Sequence, residues 1–141
     1  MTVDQERFLR RAIELATAAR AAGDAPFGSL LVGPDGAVLA EDRNTVLSDN
    51  DITAHPELKL ARWAARELST ETVAGTTLYT SCQPCGMCTG AIDRAGLAQV
   101  IYALSEQQLT ALKPSGGFPP VPQDGPAIWD EARGAVVGYY T

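Results

Sequence analysis

The stretch SCQPCGMC, residues 81–88, puts Cys82, Cys85 and Cys88 at every third position of a chain that has no other cysteine. Three thiols so close together are the stub of a four-thiolate cluster, a redox pair with a spare, or part of a mixed metal site. Each demands a different fold around it. An odd number of cysteines in one short segment is no disulfide framework, and points to a reducing compartment, the cytoplasm. An iron–sulfur cluster wants a fourth thiolate, and none exists. A thioredoxin-like pair needs no histidine. A mixed site does, and the only histidine is His55. It serves only if the fold returns residue 55 to residues 85 and 88.

Both segments read as helix starts. His55 is followed by Pro56 and Glu57, and Pro suits a first helical position, where its missing N–H has no intrahelical partner anyway. Pro84 does the same before Cys85 and Cys88, which the spacing places on one face of the next helix's first turn. The helix dipole there favours thiolate, the form that binds metal. One imidazole and two thiolates make a three-ligand site with an open fourth position, as catalytic zinc sites keep for water. Glu57 stands near that water without being a ligand, placed to take its proton and deliver it to a leaving group. The rival is a closed structural zinc site using all three cysteines and His55. Against it, Cys82 ends a strand and is expected to face away as a small buried hydrophobe. Glu57 would also then serve only the helix dipole.

The rest of the chain is read to place these motifs. Thr2 and Gln5 have capping-box spacing, and Phe8, Ala12, Leu15 and Ala19 recur at helical period until Gly23. PFGSLLVGPDGAVLAEDRN flanks a Pro-Asp-Gly turn with two apolar runs, a β-hairpin pattern. A polar loop over 44–54 leads to a helix over 56–68. TTLYTS (76–81) reads as a strand, 84–95 as a helix and QVIYAL (99–104) as a strand. A Pro- and Gly-rich excursion over 113–126 precedes a short helix near 127–132 and a last strand, AVVGYY. Strands alternating with helices predict a layered α/β domain. The length suits one domain, and no apolar run approaches the roughly 20 residues of a membrane helix. The first residues, MTVDQERFLRR, carry no apolar signal segment. The net charge is −6, with 11 basic and 17 acidic residues and only two lysines, Lys59 and Lys113. That balance lacks the basic stripe of a nucleic-acid binder and suits a small neutral or cationic substrate.

From PFGSLLV through NTVLSDNDITAHPEL and TTLYTSCQPCGMCTGAI to VIYAL, the chain resembles the cytidine and deoxycytidylate deaminase-like superfamily. The run from Asn50 to His55 is most similar to bacterial guanine deaminases and related nucleobase and nucleoside deaminases. The resemblance covers roughly residues 5–104 and rests on the H-x-E…P-C-x-x-C signature. It implies a three-layer α/β/α sandwich on a mixed five-stranded sheet, forming a single domain over residues 1–141. It also implies Zn2+ on His55, Cys85 and Cys88, and Glu57 as proton shuttle. The activity implied is hydrolytic deamination of a free nucleobase or similar aminated heterocycle. A nucleoside or tRNA adenosine deaminase, or an inactive zinc-stabilised binding module, is the alternative.

The resemblance further casts Asn44 as a hydrogen-bonding partner of the ring and the Gln83 carbonyl as the acceptor for the departing amino group. Most relatives have Glu at that place. Phe27 would wall the base pocket. The family usually has Ala or Gly between the His and the Glu, whose N–H meets a base oxygen. Pro56 departs from that pattern. A homodimer is implied, with Tyr139 and Tyr140, or a neighbouring subunit, closing the site.

Overall fold

A computed structural model describes residues 1–113 and 117–140. Part of the Pro- and Gly-rich excursion, 114–116, lies outside the described residues. The first element is helix α1 (Val3–Ala21). Its capping box is formed: Thr2 Oγ1 accepts from the Gln5 N–H at 3.1 Å, and Gln5 Oε1 accepts from the Thr2 N–H at 2.9 Å. Strands β1 (Gly28–Val32) and β2 (Val38–Arg43) form the expected antiparallel hairpin. The loop after it contains a short helix, α2 (Val46–Asp49). Then come α3 (Pro56–Glu67), α4 (Thr70–Ala74), β3 (Thr77–Cys82), α5 (Gly86–Ala95) and β4 (Gln99–Leu104). Helices α6 (Glu106–Leu112) and α7 (Trp129–Gly134) complete the described chain.

The strands form one mixed sheet in the order β2-β1-β3-β4. β1 runs antiparallel to both β2 and β3, while β3 and β4 are parallel. Parallel neighbours need a crossover, and α5 supplies it. Because β1 and β3 are covered on both faces, alternate residues serve opposite cores. Leu30, Val32 and Tyr79 pack with Leu9 and Ala12 of α1. Leu31 and Leu78 pack with Leu60, Ala61 and Ala64 of α3 and Ile92 of α5. The result is helix, sheet, helix in three layers.

The expected fifth strand is not formed. Residues 135–140 are turn and exposed, so the sheet has four strands among the described residues. AVVGYY has the composition of a strand, but β propensity acts only where a neighbour supplies pairing and a face to bury. Helices α4 and α6 were not read from the sequence, and α6 forms one wall of the site described next.

Candidate active site

His55 and Cys85 hold equivalent places. Each is the N-cap of its helix, His55 of α3 and Cys85 of α5, with extended backbone and no side-chain cap bond. Their side chains are thereby free to meet each other. The expected helix start at Pro84 moves to Gly86, so Cys85 stands at the cap and Cys88 in the first turn. α3 and α5 lie side by side under the sheet and share the Leu60–Ile92 core, which aligns their N-termini.

The loop before His55 is tied down locally. Asp24 accepts from the Ser48 N–H at 2.9 Å and from the Ser48 hydroxyl. The Thr45 N–H donates to the Ala54 carbonyl at 3.1 Å. Lys59 Nζ bonds Asp42 Oδ1 and Thr45 Oγ1, each at 2.9 Å, fixing α3 to the end of β2.

His55 Nδ1 lies 3.5 Å from Cys88 Sγ and 3.7 Å from Cys85 Sγ. The three ligand atoms all lie within 4.8 Å of one another. Tetrahedral zinc with bonds of ~2.3 Å to sulfur and ~2.0–2.1 Å to nitrogen holds N and S about 3.5–3.6 Å apart. The two N–S distances are close to those of a tetrahedral zinc site. Its electrostatics also call for a cation. Burial, followed by the nearby Glu57 and Cys85 charges, pushes the Cys88 thiol well above its ordinary range. Burial lowers the His55 pKa, keeping the imidazole neutral, the form that binds metal. A nitrogen and two sulfurs fit Zn2+. Cys82 is not part of this group.

Glu57 follows two residues after His55 and is buried. Burial raises its pKa, opposed by its own backbone N–H, Ser29 and Cys88. The Ser29 hydroxyl donates to Thr80 Oγ1 at 2.8 Å or to Glu57 Oε1 at 3.4 Å, two acceptors for one proton. A buried carboxyl beside a metal set is placed to carry protons.

Above these residues opens a cavity of about 320 Å³, the size of a small-molecule pocket. Of the residues singled out from the sequence, Phe27, His55, Pro56, Glu57, Gln83 and Cys85 line it. Asn44 does not: it is 2% exposed, and its Oδ1 accepts from the Val46 N–H at 3.0 Å. Its Nδ2 makes no hydrogen bond to a described residue. Cys82 corrects an expectation, because its side chain is buried but borders the cavity instead of facing away. The sequence reading missed Glu106, Leu109, Thr110 and Lys113, which α6 and the residue after it bring to the cavity. A signal was there: Ser105 and Gln108 form a second capping box. Gln83 joins this wall to the metal loop. Its N–H donates to the Leu104 carbonyl at 2.7 Å, and its Oε1 accepts from the Glu106 N–H at 2.9 Å.

Residues 2–104 match the family described as the cytidine and deoxycytidylate deaminase zinc-binding region. Guanine deaminase of Bacillus subtilis is 44% identical over 102 residues, covering 72% of this chain and 65% of that protein. The tRNA-specific adenosine deaminase of Haemophilus influenzae is 32% identical over 107 residues, covering 76% of this chain and 62% of that protein. The chain thus spans less than two thirds of the length of these two relatives. The X-ray structure of Bacillus subtilis guanine deaminase superposes with a TM-score of 0.78 at 31% identity, over 100% of this chain and 96% of that one. The matched segment contains the histidine, the glutamate and both ligand cysteines, and the fold brings them to one point: this chain belongs to the cytidine and deoxycytidylate deaminase zinc-binding family.

Proposed function

We propose that the chain is a zinc-dependent hydrolytic deaminase of a small aminated heterocycle, a free nucleobase or a ring like it. The observation that carries this reading is the buried Glu57 carboxyl, its pKa raised, beside an N, S, S donor set at the base of a ring-sized cavity. Bound at His55, Cys85 and Cys88, zinc supplies Lewis acidity that eases loss of a proton from water. Glu57 accepts that proton and gives it to a ring nitrogen as the water oxygen bonds the amine-bearing carbon. It then takes the second proton, from the oxygen now on that carbon, and gives it to the amino group as the C–N bond breaks and ammonia leaves. Its raised pKa suits both halves of the transfer. Gln83 holds the loop next to Cys85 against α6, which supports its carbonyl as the acceptor for the leaving amine. Phe27 packs against the ring from the side, and Asn44, whose N–H donates to the Phe27 carbonyl at 2.9 Å, stands behind that wall.

A free base fits better than a nucleic acid. The net charge of −6 offers no phosphate-binding stripe, and the two lysines lie apart. We read the working protein as a homodimer, supported by the exposed apolar side chains of residues 117–140, among them Phe118, Trp129, Tyr139 and Tyr140. Tyr139 and Tyr140 pack edge-to-face with centroids 4.8 Å apart, and a second copy offers them a surface to cover. Two thiolate ligands need reducing surroundings, which supports the cytoplasm. No helix among the described residues is long and apolar enough to cross a membrane.

Ammonia release by the zinc-loaded protein from guanine, adenine, cytosine, 2,6-diaminopurine, the matching nucleosides and an unmodified tRNA tests the reading. The expected result is turnover of at least one free base, abolished by chelation and restored by zinc. Turnover of adenosine in tRNA alone would favour the nucleic-acid reading. No release from any member, with zinc retained, would leave a binding module.

A further inference from the structure

Between His55 and Glu57 the base of the cavity is closed by Pro56, whose side chain is fully buried. The first turn of α3 holds the backbone donors nearest the reacting centre, and each can be accounted for. The Lys59 N–H donates to the His55 carbonyl at 3.0 Å. The Leu58 N–H is turned toward the Cys88 thiol, where it acts to lower that pKa. The Glu57 N–H faces its own carboxylate. The remaining position of the turn is residue 56, and proline has no N–H. A helix start that would ordinarily offer a donor to a bound ring therefore offers none.

The neighbours do not replace it. Glu57 presents a carboxyl and Phe27 an apolar ring. The Thr110 hydroxyl is engaged with the Glu106 carbonyl at 3.0 Å. Among the other described side chains that line the cavity, the Gln83 amide and the Lys113 amine are donors, and both stand on the α6 side.

We propose that Pro56 is a specificity-determining residue that turns the cavity base against ring oxygens. The chain takes an aminopurine or amino-azine whose edge over residue 56 is C–H or N–H in preference to one with a carbonyl there. A carbonyl buried against that wall loses its hydrogen-bond partner, a penalty of about 5- to 150-fold. An N–H edge has acceptors beside that wall in the Glu57 and Glu106 carboxyl oxygens, and a C–H edge needs none. Helix stability is not at stake, since a first-position donor has no intrahelical acceptor. The proposal rests on the deaminase reading for its class of substrate, while the missing donor stands without it.

Two ring pairs, each exchanging one ring oxygen for an amino group, test it: guanine against 2,6-diaminopurine, and cytosine against 2,4-diaminopyrimidine. In zinc-loaded wild type the amino member should be preferred in at least one pair. In that pair Pro56→Ala should raise kcat/KM for the oxo member relative to the amino member by about 5- to 150-fold. A shift of less than twofold in both pairs overturns the proposal. The same ratios read as dissociation constants, on zinc-loaded Glu57→Gln with and without Pro56→Ala, should move alike. If no ring releases ammonia, the deaminase reading falls, and the dissociation constants alone decide residue 56. If Pro56→Ala does not fold, wild-type binding decides: oxo rings held as tightly as their amino partners in both pairs overturn the proposal.

Discussion

At the scale of the residue, the site is built by withholding ordinary duties. An N-cap side chain normally closes the first turn of its helix, yet neither His55 nor Cys85 makes that bond. Each is left to point at the other. Cys82 shows the opposite economy: it borders the cavity, and burial, then the Glu57 charge, raises its pKa and keeps it a thiol. Cys82→Ala should therefore retain one zinc per chain by elemental analysis after dialysis, whereas Cys88→Ser should lose it. Loss of zinc from Cys82→Ala would make the site a closed structural one. That His55, Cys85 and Cys88 would meet in one group was legible in the sequence because metal chemistry fixes residue types and helix starts fix their spacing. Asn44 was harder, since whether a buried amide reaches a cavity depends on the loop around it. The Oδ1 bond to the Val46 N–H turns Asn44 partly inward.

At the scale of the element, the sheet's depth depends on one contact. α1 crosses β1 at Gly28, where a Cβ would approach the Ala12 carbonyl oxygen to 2.5 Å and the Ala16 nitrogen to 2.6 Å. Those are backbone atoms and cannot swing aside. Gly28→Ala should push α1 from the sheet and cost about 3 kcal/mol, the upper range for overpacking. Urea unfolding measures it, and a loss below about 0.5 kcal/mol would mean that α1 yields freely. Elements with a strong period were legible: α1, the hairpin, α3, β3 and β4 lie within a residue or two of their expected bounds. α6 was not, although its capping box could have announced it, because seven residues give too short a period to stand out. The strand read from AVVGYY failed for a non-local reason. A strand exists by pairing, and no sheet edge lies against residues 135–140.

At the scale of the whole molecule, the described chain divides into a three-layer body that is buried within itself and a C-terminal stretch that is not. Phe118 is 98% exposed and Tyr140 84%, while Leu30, Leu31 and Leu78 are wholly buried. The dimer reading proposed above rests on the exposed apolar side chains of that stretch. The body carries the residues of the proposed chemistry: α3 brings Glu57, its cap His55, and the β3–α5 turn and α5 bring Cys85 and Cys88. Neither half is a catalyst alone, so the account depends on both acting together at one metal. Measuring zinc content and ammonia release on the same preparation of Glu57→Gln, with the best ring from the panel, tests that dependence most directly. The account predicts one zinc per chain, as in wild type, with turnover reduced by about 10²- to 10⁴-fold, the range for a general acid–base group. Ammonia release near the wild-type rate, with zinc in place, would contradict it.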